Sequence, residues 1–360
     1  MTTTFTPVRS DLETLTGLEV IKGIAILILA NNEADVIGET IRSVRLALGP
    51  HDAVIVIADN CCDDTTERAL EAGALVYQRF TDSPDGKGTA LKWFIDQAGS
   101  FLENYDLVVI LDADNRVSSD FLRQVRAGYQ ENVVIQCFVQ PVDVEGSTLG
   151  KLIALSEIHE QRTMDRIRSF FGWPVRLRGT GMVMTPAQLK VVEARVATEV
   201  EDIALSLLFV SGGIRVLQND QAYVLDPKPL ESALASRQRA RWFRGQWVAL
   251  WHYRREVWRL VLRGPSGWSL LGSLFLKPRW LMDLILIVLA IVLTQFSWLL
   301  AFLALGKVFF DLACLGHTIL TSEDRNGYLK AILHAPDFLL MWLRGILLAF
   351  KKNPWLRARP

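Results

Sequence analysis

Apolar residues follow two different grammars along this chain, and the change falls near residue 280. In the first, short runs of branched residues alternate with stretches whose apolar positions recur every three or four residues. Ile24–Ala30 (IAILILA) is such a run, and it gives way at Asn31 to a helical pattern, which predicts a strand feeding a helix. The same succession recurs at Ala53–Ala58 with a helix from about Asp64, at Ala74–Gln78, and at Leu107–Leu111, with a helical pattern over Gly88–Gln97. Strands alternating with helices predict an α/β fold with a mostly parallel sheet covered by helices on both faces. In such sheets ligands gather at the carboxyl ends of the strands, so chemistry is expected at Asn31–Glu33, Asp59 and Asp112–Asp114.

Further along, Leu149–Phe170 reads as a long helix that runs into a loop, Phe171–Met182, where Gly172, Pro174, Gly179 and Gly181 preclude regular helix. A helix over Ala187–Ala194 comes next, then Thr198–Asp202 opening another helix, two short strands near Ile214–Leu217 and Ala222–Leu225, and a long basic helix from about Glu231. Past Pro278 the second grammar begins. Leu284–Leu305 is 22 residues without a charge, and Val308–Leu320 contains only Asp311; a membrane span needs about 20 apolar residues. The break Thr294–Ser297 can be a hairpin tip, leaving one span or two open, and basic residues on both flanks favour two. Leu250–Leu262 and Phe338–Phe350 mix aromatics with arginines as interfacial helices do. The expected organisation is an N-terminal extension (1–23), a catalytic domain (24–247), interfacial helices (248–279), a transmembrane hairpin (280–320) and an amphipathic basic segment (321–360).

Composition narrows the class. Half the residues are apolar and 22% are charged, which excludes a disordered chain. Lysine plus arginine and aspartate plus glutamate both total 39, so nucleic acid is not an expected partner. The balance hides segregation: residues 31–120 hold 17 acids against 7 bases, whereas 237–279 hold 10 bases and one acid, Glu256. Four cysteines, including the adjacent Cys61 and Cys62, form no disulfide framework and fit a reducing compartment. The first twenty residues lack a signal-peptide core, so the N-terminal domain is expected in the cytoplasm.

LVVILDADN (107–115) carries the sharpest local chemistry, because a buried strand delivers Asp112 and Asp114, expected on one side of the chain by strand alternation. Paired carboxylates suit magnesium or manganese, which bind carboxylate together with substrate phosphate oxygens. Asn32, Glu33 and Asp59 reach the same sheet end, where carboxylates accept from a base imide or a ribose hydroxyl. Asp63 or Asp64 reads as a helix cap, with Asp35 another candidate. Lys87, between two glycines at a helix start, can hold phosphate. Glu201–Asp202 begin a helix, which suits the helix dipole and equally a general base. In QRARW (Gln238–Trp242), Arg241 can clamp a diphosphate and Trp242 can stack on a sugar, or the segment is a basic aromatic membrane belt.

In chain order, ANNE (30–33), ADNCCDDT (58–65), DGKGTAL (85–91), LDADN (111–115), RGTGM (178–182), VED (200–202) and QRARW (238–242) resemble a family 2 glycosyltransferase. The QxxRW pattern is similar to that of the membrane-bound branch containing cellulose, chitin and hyaluronan synthases. The resemblance, over about Ile24–Gln246, implies a GT-A (Rossmann-like) fold, an inverting single displacement, a nucleotide-diphosphate sugar donor, usually UDP-linked, and Mg2+ or Mn2+. It further implies Asn32, Glu33 and Asp59 at the nucleotide, Lys87 at its phosphates, Asp112 at donor and metal, and Asp114 at the metal. Gly179, Thr180 and Gly181 would form the acceptor loop, Asp202 the base, and Gln238, Arg241 and Trp242 the diphosphate and acceptor contacts. Two departures stand out: the common TED reads Val200-Glu201-Asp202, and the membrane part is small for a polymer-exporting synthase.

The expectation is therefore a transferase at the cytoplasmic face of the cell membrane that adds sugar to a glycan or lipid-linked acceptor in cell-surface polysaccharide synthesis. A separate export protein or an oligomer would then move the product. The rivals are a processive synthase, a polyprenyl-phosphate glycosyltransferase and a catalytically idle nucleotide-binding scaffold.

Overall fold

β1 (Ile24–Ala30) is buried along its whole length because it lies between β2 (Ala53–Asp59) and β4 (Leu107–Asp112), parallel to both. The computed structural model describes residues 23–82, 86–195, 200–276 and 278–350, so the expected N-terminal extension, except Gly23, lies outside the described residues. Successive β1 side chains point to opposite faces. Ala25, Leu27 and Leu29 meet Leu91 and Phe94 of α3 (Lys87–Leu102) and Ile203 and Leu207 of α8 (Glu201–Ser211). Ile24, Ile26 and Ile28 meet Ile37 and Ile41 of α1 (Ala34–Arg45) and Phe121 and Val125 of α4 (Phe121–Gly128). Two covered faces explain why the run has no polar alternation.

β3 (Leu75–Arg79) adds to β2 in parallel, after α2 (Thr65–Glu71). The chain then crosses back to place β4 on the other side of β1, so the strand order reverses direction between β1 and β4. That reversal opens the crevice in which α/β sheets bind ligands. Beyond β4 the sheet turns mixed, with β5 (Arg116–Val117), β6 (Val133–Val142), β7 (Met182–Met184) and β8 (Arg215–Pro227) completing the order β3-β2-β1-β4-β7-β6-β8-β5. Among the described residues four pairings are parallel, and the three made by β7 and β5 are antiparallel. The sheet is thus mostly parallel, as expected, with β7 and β5 as its antiparallel strands and the parallel pair β6–β8 between them.

Three sequence expectations change here. The ten-residue strand β6 was not anticipated, since its apolar run is interrupted by Gln136, Gln140 and Pro141. The two short strands after Ile214 are one, β8, whose pairing with β6 jumps from Asn219 opposite Cys137 to Tyr223 opposite Phe138. Asn219 Oδ1 accepts from the amides of Gln221 (2.9 Å) and Ala222 (3.3 Å), which stabilises the bulge. The long helix over Leu149–Phe170 is α5 (Thr148–His159) and α6 (Arg166–Phe170), joined by a π-helical stretch, Glu160–Asp165. Such π segments recur at functional sites.

After α7 (Pro186–Arg195) and β8, the C-terminal half is helical: α9 (Ser232–His252), α10 (Arg254–Leu262), α11 (Pro265–Phe275), α12 (Arg279–Leu293), α13 (Trp298–Leu320), α14 (Arg325–Ile332) and α15 (Ala335–Ala349). Thr294–Ser297 breaks the uncharged run, and Ser297 caps α13. Among the described residues α13 is long and apolar enough to cross a membrane, and α14 with α15, bent by 68°, pass the same test only as one broken pair. α12 has 15 residues and packs on α13. Lys307 of α13 joins the two helices through Asp283 (2.5 Å) and also pairs with Asp311 (2.7 Å).

Candidate active site

Lys87, at the first position of α3, reaches across the end of β4. Its ammonium pairs with Asp112 at the carboxyl end of β4, donates to the Gly179 carbonyl at 2.5 Å, and lies 3.6 Å from Glu201 at the start of α8. Burial works against its charge, but the carboxylates of Asp112 and Glu201 outweigh that and hold its pKa above the ordinary value. Glu201 is buried, which pushes its carboxyl up to about 7 against the pull of Lys87, with Asp202 and Asp112 adding repulsion. One protonatable cluster therefore joins three elements and a loop.

That loop is RGTGM. Gly179 (φ +82°) and Gly181 (φ +62°) adopt left-handed backbone, and a Cβ on Gly181 would come within 2.9 Å of Val224 Cγ2. A Cβ on Gly179 would stand 4.0 Å from the Asp202 Cβ, so the loop rests against the start of α8. Thr180 is buried between them: its hydroxyl donates to Asn115 Oδ1 at 2.5 Å and accepts from the Asp112 amide at 3.2 Å. Gln136 of β6 clamps the loop from behind, accepting from the Arg178 amide (2.8 Å) and donating to the Thr180 carbonyl (2.9 Å). The polar residues that obscured β6 as a strand thus include one that holds the loop.

β4 ends at Asp112, and Asp114 lies in the succeeding turn, where the Asn115 amide donates to the Asp112 carbonyl at 3.2 Å. The turn, not strand alternation, sets the direction of Asp114. Asn115 Nδ2 donates to both Asp114 Oδ1 (3.2 Å) and Asp226 Oδ1 (3.1 Å). Asp226, at the end of β8, shares the ammonium of Lys228 with Glu157 of α5. Sequence reading passed over this acid-lysine group, although YVLDPK repeats the signal used for Asp59 and Asp112, an acid at the end of an apolar strand.

On the neighbouring strand ends, Asp59 is buried and its Oδ1 accepts from Arg79 at 2.9 Å. Asn31 Nδ2 donates to the Asp59 carbonyl at 2.5 Å. Asn32 takes left-handed backbone (φ +55°) and its Oδ1 accepts from the Cys62 amide at 2.8 Å. Glu33 is the residue preceding α1, with its amide donating to Thr65 at 2.8 Å. Capping differs from expectation: Asp64 precedes α2 without a side-chain bond, Asp35 sits inside α1, and Asp63 instead accepts from the amides of Ala34 (3.2 Å) and Thr65 (3.1 Å). Asp85 and Thr198–Glu199 lie outside the described residues.

QRARW lies on α9. Arg241 is exposed, whereas Arg239 is buried, stacked 4.3 Å from the Trp242 ring centroid and 5.2 Å from that of Trp342 on α15. Arg239 donates to Gln238 Oε1 at 2.8 Å, and burial lowers its pKa to about 10 although the carboxylates of Glu157 and Asp226 favour its charge. The buried arginine of the motif is thus Arg239, on a helix face that Gly345 of α15 approaches closely.

Comparison with protein-family models matches residues 22–245 to Glycosyltransferase like family 2. The chain belongs to that family. Comparison with curated proteins gives no match. Among solved structures, this glycosyltransferase is similar to the mannosyltransferase PcManGT from Pyrobaculum calidifontis, solved with GDP-Man and Mn2+, at 14% identity over 92% of this chain and 88% of that one, with a TM-score of 0.50. S. aureus TarS 1–349 with UDP-GlcNAc matches at 13% identity over 93% of each chain, TM-score 0.46. Glucosyl-3-phosphoglycerate synthase from Mycobacterium tuberculosis, with Mn2+, UDP and phosphoglyceric acid, matches at 20% over 67% of this chain and 78% of that chain, TM-score 0.41. The likeness to PcManGT shows a shared GT-A-type fold.

Proposed function

We propose that this glycosyltransferase moves a sugar, with inversion, from a nucleotide-diphosphate sugar, UDP-linked in the first instance, to a hydroxyl of a lipid-linked glycan at the cytoplasmic membrane face. The observation that carries the reading is the convergence of Lys87, Asp112, the Gly179 carbonyl, Glu201 and Asp202 at one sheet edge. Asn32, Glu33 and Asp59, at the ends of the adjacent strands, would hold the nucleoside. Asp202 would accept the proton of the acceptor hydroxyl as its oxygen attacks the anomeric carbon opposite the diphosphate. The bond from that carbon to the diphosphate breaks with its electron pair, leaving the nucleotide as a dianionic or trianionic product that Lys87 is charged to meet. Trp242 and Gln238 would position the acceptor sugar, and Arg241 the diphosphate.

Among the described residues no group of three His, Cys, Asp or Glu could hold a metal on its own. Asp112 and Asp114 still fit magnesium or manganese, which take one or two carboxylates and complete their shell with phosphate oxygens and water. Asp112 is 42% exposed at its side chain, so it is accessible to such an ion. The metal would neutralise charge on the departing diphosphate. PcManGT was solved with Mn2+, which agrees with this donor set.

The full chain in detergent, screened with nucleotide sugars over lipid extracts, tests the reading. Transfer of one or a few sugars that stops in excess chelator is expected, and turnover undiminished by chelator removes the metal. Long polymer from this chain alone would favour the processive synthase instead. A reporter fused after Pro360 is expected to read cytoplasmic if α12 and α13 form a membrane hairpin.

A further inference from the structure

Behind the loop that carries Gly179 lies a chain of ion pairs running from the start of α12 into the site. Arg279 Nε meets Glu160 Oε2 at 3.0 Å, Arg168 bridges Glu160 Oε1 (3.0 Å) and Asp165 Oδ1 (2.6 Å), and Arg178 pairs with Asp165 Oδ2. Both oxygens of each carboxylate are therefore engaged, and Glu160, Asp165 and Arg168 are buried. Arg176 stands beside this network without an ion-pair partner among the described residues, and its Nε is buried with no hydrogen-bond partner. Four guanidinium groups then face three carboxylates, Glu160, Asp165 and Asp202. A buried guanidinium N–H left without an acceptor is costly, and a ligand oxygen would supply that acceptor.

The direction of Arg176 is set by the strand-like alternation of its segment. Val175 and Leu177 are fully buried in the core beside α8, their amides bonded to the Val216 carbonyl (3.0 Å) and Ser206 Oγ (2.9 Å). Arg176 and Arg178 point the other way. Burial first, and then the charge of Arg178, push the Arg176 guanidinium down to about 10, while the carboxylates of Glu160, Asp202 and Asp165 favour its charge. Arg176 thus lies within the field of Asp202 while the residue remains partly exposed.

We propose that Arg176, with Arg178 alongside, binds a phosphate carried by the acceptor, next to the hydroxyl that Asp202 deprotonates. This rests on the reading of Asp202 as the acceptor-side base. It restricts the acceptor to molecules whose reacting sugar lies close to a phosphate, as does a first sugar attached to a lipid phosphate or a soluble sugar phosphate. Donor phosphates, near Asp112 and Lys87, are a separate site.

Titration of the full chain in detergent with UDP and Mn2+, and then with inorganic phosphate on the UDP-saturated protein, tests this. Wild type is expected to bind phosphate with UDP in place, Arg176→Gln to bind it at least tenfold more weakly with UDP affinity changed less than twofold, and Arg176→Lys to fall between. Removal of a buried N–H that lacks an acceptor is not expected to lower the melting temperature of Arg176→Gln, whereas loss of a structural contact would. Displacement of phosphate by dihexanoyl phosphatidic acid, by glucose 6-phosphate, or by both supports the site and identifies lipid, soluble molecules, or either as the source. Absence of phosphate binding by a wild type that binds UDP, equal binding by Arg176→Gln, or competition between phosphate and UDP overturns the proposal. Failure to bind UDP overturns the proposed function first.

Discussion

β1 and α13 are both mainly apolar and end in opposite surroundings. Ile24, Ile26, Leu27 and Ile28 are fully buried, whereas Phe302 and Phe309 are 72% and 74% exposed. In the sheet, helices on both faces cover the apolar side chains of β1 and β4, and the polar residues at and just past the strand ends emerge at one edge as the candidate site. α13 is covered in part by α12 and α5, through the pair His159 and Thr318 (3.0 Å) and the packing of Ile319 against Leu155. The rest of its surface is exposed and apolar, and in the proposed function lipid would cover it. Position relative to a covering layer, and not apolar character, separates a buried strand from an exposed apolar helix.

The largest expected effect removes chemistry from the sheet and leaves the hairpin untouched. Asp202→Asn should retain UDP binding and membrane association while transfer falls on the order of 10²–10⁴-fold, the range for a general base. Transfer within tenfold of wild type would assign that role elsewhere. The reverse experiment is Phe302→Lys, which puts a charge on the uncovered face of α13. It should weaken membrane association by about 3 kcal/mol and leave UDP affinity unchanged; membrane flotation of both proteins measures it, and equal flotation means that this face does not meet lipid.

Smaller effects probe how the sheet holds its loop. Gly181→Ala combines left-handed backbone with a contact at 2.9 Å, and should cost about 1–3 kcal/mol in urea unfolding, with no change if the loop shifts freely. The smallest concerns pH. Glu201 has its pKa raised from 4.5 to about 7 by burial, so its protonated form favours the folded state. That contribution is complete below pH 4.5 and is lost as pH rises through about 7. Glu201→Gln should flatten the decline in melting temperature across this window, and an unchanged profile would place the titration in another group.

Much of the sheet edge was legible because the length of a strand and the residue type at its end are local properties. Asp59 and Asp112 do end β2 and β4, and Lys87 does begin α3. The acid-lysine group of Asp226, Lys228 and Glu157 was not legible, since β8 and α5 are far apart in the chain and only the sheet order brings them together. Gln136 was hidden for a different reason, as a buried glutamine reads as an interruption until the loop it clamps is known.

By itself the sequence determined the strands β1, β2, β3 and β4, the residues at their carboxyl ends, the glycine loop before Met182 and the break at Thr294–Ser297, because periodicity and backbone preference act over a few residues. Tertiary structure decided what those residues meet. It turned Arg239 inward and Arg241 outward, since the rotation of α9 is set by α15, about a hundred residues later, through Trp342 and Gly345. It paired Lys87 with Asp112 and Glu201 and left the buried Nε of Arg176 without a hydrogen-bond partner. Charge balance in a buried site is a sum over neighbours from distant segments, and no local pattern contains that sum.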